Sequence, residues 1–259
     1  TRLVGAIDSR SKRVAKEFYL RVTDAEVMMT DALTAEIAKL AENSFRDVNI
    51  AFASELGIIC ENLGADAHDV IRLANTHPRV QIHEPGVGVG GPCLTKDPYF
   101  LTESIIPSKS KLIRVSRKIN DEMPFHVLRR IIDAVGHRKL RKSKVAVLGV
   151  AYKENLDDAR NSPTELIIRH LLNKGTRVAV YDPYCKETFG ARRSRDLYSA
   201  LEAADCCLIT VRHSPFVAMN LKRAREMMKP NSLIFDGRNV FNREDVVAVG
   251  LRYYGIGKG

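Results

Sequence analysis

The stretch PGVGVGGPCLTKDP, residues 85–98, holds the side chains best suited to chemistry. Glycines at 86, 88, 90 and 91 permit close backbone approach to a ligand and leave N–H groups free as donors. Cys93 follows directly, with Lys96 and Asp97 behind it. A thiol in an amide-rich, electropositive loop with little apolar cover is expected to ionise readily and act as a nucleophile; a buried, inert cysteine is the bland alternative. A second set stands upstream in AEIAKLAENSFRDVN. There Lys39, Asn43 and Arg46 recur at i, i+4 and i+7, so they project from one helical face over roughly 10 Å. Such a trio suits an oxyanion or a polyhydroxyl ligand, and equally a solvated face with no ligand.

These residues need elements to hold them. From Thr34 to Leu63 the pattern is helical, and Ile37, Ala41, Phe45, Val48, Phe52, Leu56 and Ile59 form an apolar stripe on the side opposite the polar trio. Asp66 is an N-cap for a helix over Ala67–Ala74, and a further helix is expected from Ser108 to His137, with Pro124 as the place for a kink. Residues 1–30 read strand (Arg2–Ile7), helix (Ser11–Tyr19) and short strand (Glu26–Met29). That β-α-β piece is too small to close a core, so it is expected to be the C-terminal remnant of a larger domain.

Past residue 140 the pattern changes. KVAVLGV, TRVAVYD, CCLITV, SLIFDG and RYYGI are short, nearly all-apolar runs, and helical segments such as SPTELIIRHLLNKG separate most of them. This alternation predicts a parallel sheet buried on both faces, with ligands beyond the carboxyl ends of its strands, after Gly149, Tyr181, Val211 and Asp236. The expected class is therefore α/β: a central all-helical domain over 31–139, then a Rossmann-like parallel-sheet domain over 140–259. The first turn of that sheet, LGVAYKENLDDAR, is not G-x-G-x-x-G. Lys153 and Arg160 in it could neutralise phosphate or be ordinary surface charges. Asp182, ending the second run, stands where such folds often hold a ribose hydroxyl, although Asp-Pro is also common turn chemistry.

Composition sets the outer bounds. The 259 residues are 45% hydrophobic and 28% charged, ordinary for a globular chain of about two domains. No apolar run approaches the roughly 18 residues of a membrane span. The formal charge of +10 admits nucleic acid, an acidic surface or an anionic small molecule as partner. The densest basic stretch, Lys109 to Lys144, has too few aromatics for a base-stacking surface, so no nucleic acid and no membrane partner is expected. Five cysteines without a C-x-x-C pair point to neither zinc nor a disulfide framework, and to a reducing cytoplasm. The histidines have no partners at ligand spacing, so no metal is assigned.

Three stretches, AEIAKLAENSFRDVNIAFASELGIICENLGAD, HPRVQIHEPGVGVGGPCLTKDPYFL and KVAVLGVAYKENLDDARNSPTELI, together resemble the UDP-glucose/GDP-mannose dehydrogenase family, and the likeness continues through FDGR at 235–238. The resemblance implies an N-terminal NAD-binding domain of which residues 1–30 are the tail, a central domain that makes a homodimer, and a C-terminal domain that binds the UDP-sugar. It implies the four-electron oxidation of a sugar C6 hydroxyl to a carboxylate with NAD. Cys93 would be the nucleophile, passing through a thiohemiacetal and a thioester; Lys39, Asn43 and Asp97 would stabilise the oxyanion and handle water. Gly86, Gly88 and Gly90, with Tyr152, Lys153 and Arg238, would bind substrate, and Arg160 would reach NAD. Arg46, His77 and Arg79 together look most like the branch acting on UDP-N-acetyl-D-mannosamine, the His-Pro-Arg segment reaching substrate across the dimer. UDP-glucose and UDP-N-acetylglucosamine remain alternatives, as does a non-catalytic dimeric nucleotide-sugar binder. Pro92 departs from the Ser or His that many members carry before the cysteine.

Overall fold

The computed structural model describes residues 1–103 and 109–258. A two-stranded parallel piece opens the chain: β1 (Arg2–Ala6), α1 (Ser9–Val22) and β2 (Val27–Asp31), with Arg2 opposite Val27 and Ala6 opposite Asp31. No residue of α1 is buried. Asp31 then caps α2 (Ala32–Leu63) by accepting from the Thr34 N–H at 2.8 Å. At 32 residues this helix runs about 48 Å and stops at Gly64, whose φ of 75° suits the left-handed C-terminal turn. Next come α3 (Ala67–Ala74), capped as expected by Asp66, then α4 (Asp97–Glu103), α5 (Lys111–Val135) and α6 (His137–Leu140). Ser108, the expected start of the long helix, lies outside the described residues.

The apolar stripe expected along α2 largely faces outward, and of the polar trio only Asn43 is buried while Lys39 and Arg46 are exposed. Phe45 and Phe52 are 67% and 52% exposed, and Ile37 and Ile59 also face outward. Buried instead are Asn43, Ser44, Asp47, Ala51, Ser54 and Gly57. This narrow, polar side packs against α5, where Arg117 forms an ion pair with Asp47 and Asn120 donates to the Asp47 carbonyl and carboxylate, both at 2.8 Å. Small side chains let the helices approach, and the bonds among Asp47, Arg117 and Asn120 tie the two together.

The remaining chain forms β3 (Lys144–Leu148), α7 (Pro163–Asn173), β4 (Arg177–Tyr181), β5 (Arg192–Arg193), α8 (Leu197–Leu201), β6 (Cys206–Ile209), α9 (Ser214–Val217), α10 (Leu221–Met227), β7 (Leu233–Asp236), α11 (Arg243–Ala248) and β8 (Arg252–Gly255). All six strands are parallel, in the order β5-β4-β3-β6-β7-β8. This is the doubly wound arrangement, and its winding reverses between β3 and β6. Alternation along the strands feeds two cores. Val145, Val147, Leu208 and Phe235 pack with α5 and α7 through Val127, Ile131 and Ile167. Ala146, Leu148, Ile209 and Ile234 pack on the other face with Leu201, Ala224 and Val246. The second half of α5 thus lies on the sheet while its first half lies on α2, so one helix joins the two regions. No helix among the described residues is long and apolar enough to cross a membrane.

Candidate active site

Cys93 begins a turn that runs into α4. Its carbonyl accepts from the Lys96 and Asp97 N–H groups at 2.9 and 2.8 Å, so Cys93 and Asp97 stand one helical turn apart. Asp97 in turn accepts from the Asn43 side-chain amide of α2 at 2.5 Å. Asn43, more than fifty residues upstream, is thereby joined to the turn that carries Cys93 and Asp97. Cys93 is exposed, whereas Cys60, Cys185, Cys206 and Cys207 are buried. Burial pushes all four of those thiols up, that of Cys206 to about 12. One turn before Asn43, Lys39 is not drawn in: its ammonium is exposed and pairs with Glu42 at 3.4 Å.

The glycines before Cys93 also meet a packing demand. A Cβ on Gly90 would come within 2.7 Å of the Tyr152 Cβ and 2.8 Å of the Asn161 carbonyl, and one on Gly91 (φ 91°) would meet the Tyr152 ring at 2.8 Å. Gly86 is pressed against the Arg238 guanidinium. Gly90 and Gly91 leave no room for a side chain because the sheet domain packs onto the loop. The Gly91 N–H is used as well, donating to the Arg160 carbonyl at 2.9 Å, and Asn161 donates to the Gly91 carbonyl and Thr95 hydroxyl, both at 3.2 Å. The cysteine loop is therefore clamped onto the β3–α7 connection.

Beside this seam is a cavity of about 260 Å³, lined by Arg46 and Ile50 of α2, the backbone at Gly86, Gly88 and Gly90, Leu94, and Tyr152, Lys153, Val211, Arg212 and Arg238 from the sheet domain. The sheet residues follow the carboxyl ends of β3, β6 and β7, at the winding reversal, where such sheets bind ligands. Arg212, Glu84 and Glu154 also line it and were not singled out from sequence. Arg212 was findable, since it follows a strand on the ligand edge; the two glutamates carry no local signal. Arg238 is half-buried and donates through Nε to the Thr210 carbonyl at 3.1 Å; desolvation pulls its pKa down. Arg160 remains exposed and is held by Asp158, which raises its pKa; Tyr152 and Cys93 are near enough to add to the effect. His77 and Arg79 are not brought to this cavity. They line another, of about 850 Å³, with Phe45 and Phe52 of the outward stripe.

Asp182 does not await a ribose. One carboxylate oxygen accepts from the Val150 and Ala151 N–H groups and from His213 Nε2, at 2.8, 3.2 and 3.0 Å. The other accepts from Tyr184 and Cys185, each at 2.9 Å. The Asn155 N–H donates to His213 Nδ1 at 2.8 Å, which places the imidazole proton on Nε2. This buried pair grips both ends of residues 150–155 and so orients Tyr152 and Lys153. Burial alone would raise the Asp182 carboxyl, but the bonds from His213 and the four N–H groups outweigh it and hold the pKa well below the ordinary 3.8. Stability drawn from this group is thus present above pH 4 and lost as pH falls toward the lower folded value. Asp182→Asn is expected to cost about 3 kcal/mol or more at pH 7, with the deficit shrinking below pH 4; thermal melts of both proteins at pH 3 and 7 measure it.

Residues 33–122 match the profile of the UDP-glucose/GDP-mannose dehydrogenase family, central domain, and residues 146–243 that of the same family, UDP binding domain. UDP-N-acetyl-D-mannosamine dehydrogenase of Methanocaldococcus jannaschii is 40% identical over 261 residues, which take in 100% of this chain and 59% of the relative. A solved UDP-D-ManNAc dehydrogenase from Pyrococcus horikoshii superposes with a TM-score of 0.88 at 37% identity, covering 99% of this chain and 60% of that one. An NDP-N-acetyl-D-galactosaminuronic acid dehydrogenase from Methanosarcina mazei Go1 gives 0.89 at 34% identity, covering 99% and 57%. The chain thus spans about 60% of the length of the relatives it matches. With both profiles in order and the fold shared, the chain belongs to the UDP-glucose/GDP-mannose dehydrogenase family.

Proposed function

We propose that the chain is the substrate-oxidising part of an NAD-dependent dehydrogenase that converts the C6 hydroxyl of UDP-N-acetyl-D-mannosamine to the carboxylate of UDP-N-acetyl-D-mannosaminuronate. The observation that carries this is the exposed Cys93 on a turn bonded through Asp97 to Asn43, beside a cationic cavity at the ligand edge of a doubly wound sheet. Lys153 and Arg238 would face the diphosphate, Tyr152 and the backbone at Gly86, Gly88 and Gly90 the uridine and sugar, and Arg46 the sugar. NAD⁺, when bound, supplies the hydride acceptor for both oxidations. Of this chain, Arg160 is the residue assigned to reach it; an exposed guanidinium fixed by Asp158 beside the cysteine loop fits that task. The apolar side chains that β1 and α1 leave exposed, among them Leu3, Val14 and Phe18, suit the edge of a cofactor domain.

In the first oxidation the C6 alcohol would give up its hydride to the cofactor and its proton to solvent water, becoming an aldehyde. The Cys93 thiolate adds to the carbonyl carbon, giving a thiohemiacetal whose oxyanion Lys39 would stabilise once its exposed, weak pairing with Glu42 breaks. Loss of the second hydride leaves a thioester. Asp97, oriented by Asn43, would take the proton of the attacking water, and the bond to sulfur breaks to release carboxylate and thiol.

The outward stripe of α2 suits pairing with the same helix of a second copy, and its alignment with His77 and Arg79 suits donation of that segment across the interface. Several relatives at 34–40% identity carry the N-acetyl-D-mannosamine name, which favours that sugar over UDP-glucose or UDP-N-acetylglucosamine. The reduced thiols fit the cytoplasm. Alkylation tests the core of the proposal: iodoacetamide is expected to label Cys93 first, and UDP-N-acetyl-D-mannosamine to slow that labelling at least tenfold. Equal rates with and without the sugar nucleotide would refute the assignment of Cys93 to the substrate site.

A further inference from the structure

The turn that presents Cys93 is gripped at both ends from the α2–α5 joint. At its far end Asp97 accepts from the Asn43 amide of α2. At its near end the Leu94 carbonyl, one residue after Cys93, accepts from Arg117 Nη1 of α5 at 3.3 Å. The same nitrogen is paired with Asp47, one helical turn beyond Asn43, and Nη2 donates to Asp121 at 3.0 Å. Leu94 is a wall of the cavity assigned to the substrate; Arg117 and Asp47 do not line it and are buried. Arg117 therefore supports that wall from behind, out of reach of a ligand.

Cohesion between the helices is a weak explanation for this arrangement. Asp47 Oδ2, Arg117 Nε and Asn120 Oδ1 are buried and have no hydrogen-bond partner among the described residues. A buried ion pair with atoms left unpaired gains little over apolar side chains of similar volume. What apolar side chains would not supply is a donor for the Leu94 carbonyl, or the planar fork that fixes this guanidinium between two carboxylates. Placement of a nucleophile is worth such a cost, since a shift of about 1 Å can lower a rate roughly a hundredfold.

We propose that Arg117, clamped by Asp47, is a positioning residue for the oxidation: it holds the Leu94 carbonyl and so fixes the Cys93 thiol against the sugar. The inference rests on the assignment of Cys93 as nucleophile. Two variants of the full-length protein test it. Arg117→Met with Asp47→Leu removes the donor to Leu94 without stranding a charge. Arg117→Lys keeps a cation against Asp47 but loses the two-nitrogen fork. Both are expected to fold. The kcat for UDP-N-acetyl-D-mannosamine should fall at least about tenfold in the double variant and about threefold in Arg117→Lys, with KM held within about threefold. Iodoacetamide should label Cys93 at a rate changed at least about threefold in both. Labelling needs no turnover, so it reads the placement of the thiol separately from the identity of the reaction. Wild-type labelling in both variants, or a kcat that recovers together with the melting temperature in the double variant, would overturn the proposal.

Discussion

Cys93→Ser is expected to lower uronate formation by the full-length protein at least about a thousandfold, as removal of a covalent nucleophile commonly does. A serine hydroxyl is far less acidic than a thiol and is a much weaker nucleophile here, and an ester in place of the thioester would not reproduce the second step. In the proposed mechanism both stages pass through one sulfur, so the loss should fall on kcat rather than KM. UDP-sugar binding, measured separately by calorimetry, should change less than about threefold, because the cationic and backbone contacts lie on other residues. Product analysis by mass spectrometry decides the matter. Undiminished uronate from Cys93→Ser would remove the thiohemiacetal route altogether.

The largest effect on stability is expected at the joint between α2 and α5. Arg117 and Asp47 form an ion pair with side-chain exposures of 2% and 1%. Arg117 also donates to Asp121 at 3.0 Å and to the carbonyl of Leu94, next to Cys93, at 3.3 Å. Arg117→Met would strand a buried carboxylate, a change that costs about 3–5 kcal/mol. Desolvation already pushes the Asp47 carboxyl up to about 6 against the attraction of Arg117. Without the guanidinium it would rise further, so the deficit should be greatest in alkali and shrink as pH falls toward 6, where the group takes up a proton. The double change Arg117→Met with Asp47→Leu should recover most of the loss, since apolar replacements of a buried pair are often neutral. Chemical denaturation at pH 6 and 8 checks each part. The loop carrying Cys93 offers an independent readout: its alkylation rate should change in both variants, because the Leu94 carbonyl has lost its donor.

Local pattern made much of this architecture legible. The five apolar runs after residue 140 become β3, β4, β6, β7 and β8 because a strand covered on both faces must be apolar throughout. Ser162 followed by Pro163 starts α7, and Asp66 starts α3, because capping is decided within a few residues. The two-residue strand Arg192–Arg193 escaped notice, since an exposed edge made of arginines has neither an apolar core nor alternation to reveal it. The cysteine loop was equally conspicuous, as glycine-rich punctuation around a thiol needs no tertiary context to be seen.

Other features depended on partners far away in the chain. The period of α2 assigned Phe45 and Asn43 to opposite sides, yet a helical period says nothing about which side another element will cover. The arrival of Arg117 and Asn120 buried the polar side and left the phenylalanines outside. Likewise Asp182 had the position of a ligand contact, and His213, some thirty residues later, converted it into an anchor for the loop above. Residue type and spacing carry what short-range sterics and hydrogen bonding dictate; burial, pairing and the meeting of Asn43 with Asp97 arise only when segments distant in the chain are packed together, since each of those interactions needs a surface that neither segment contains by itself.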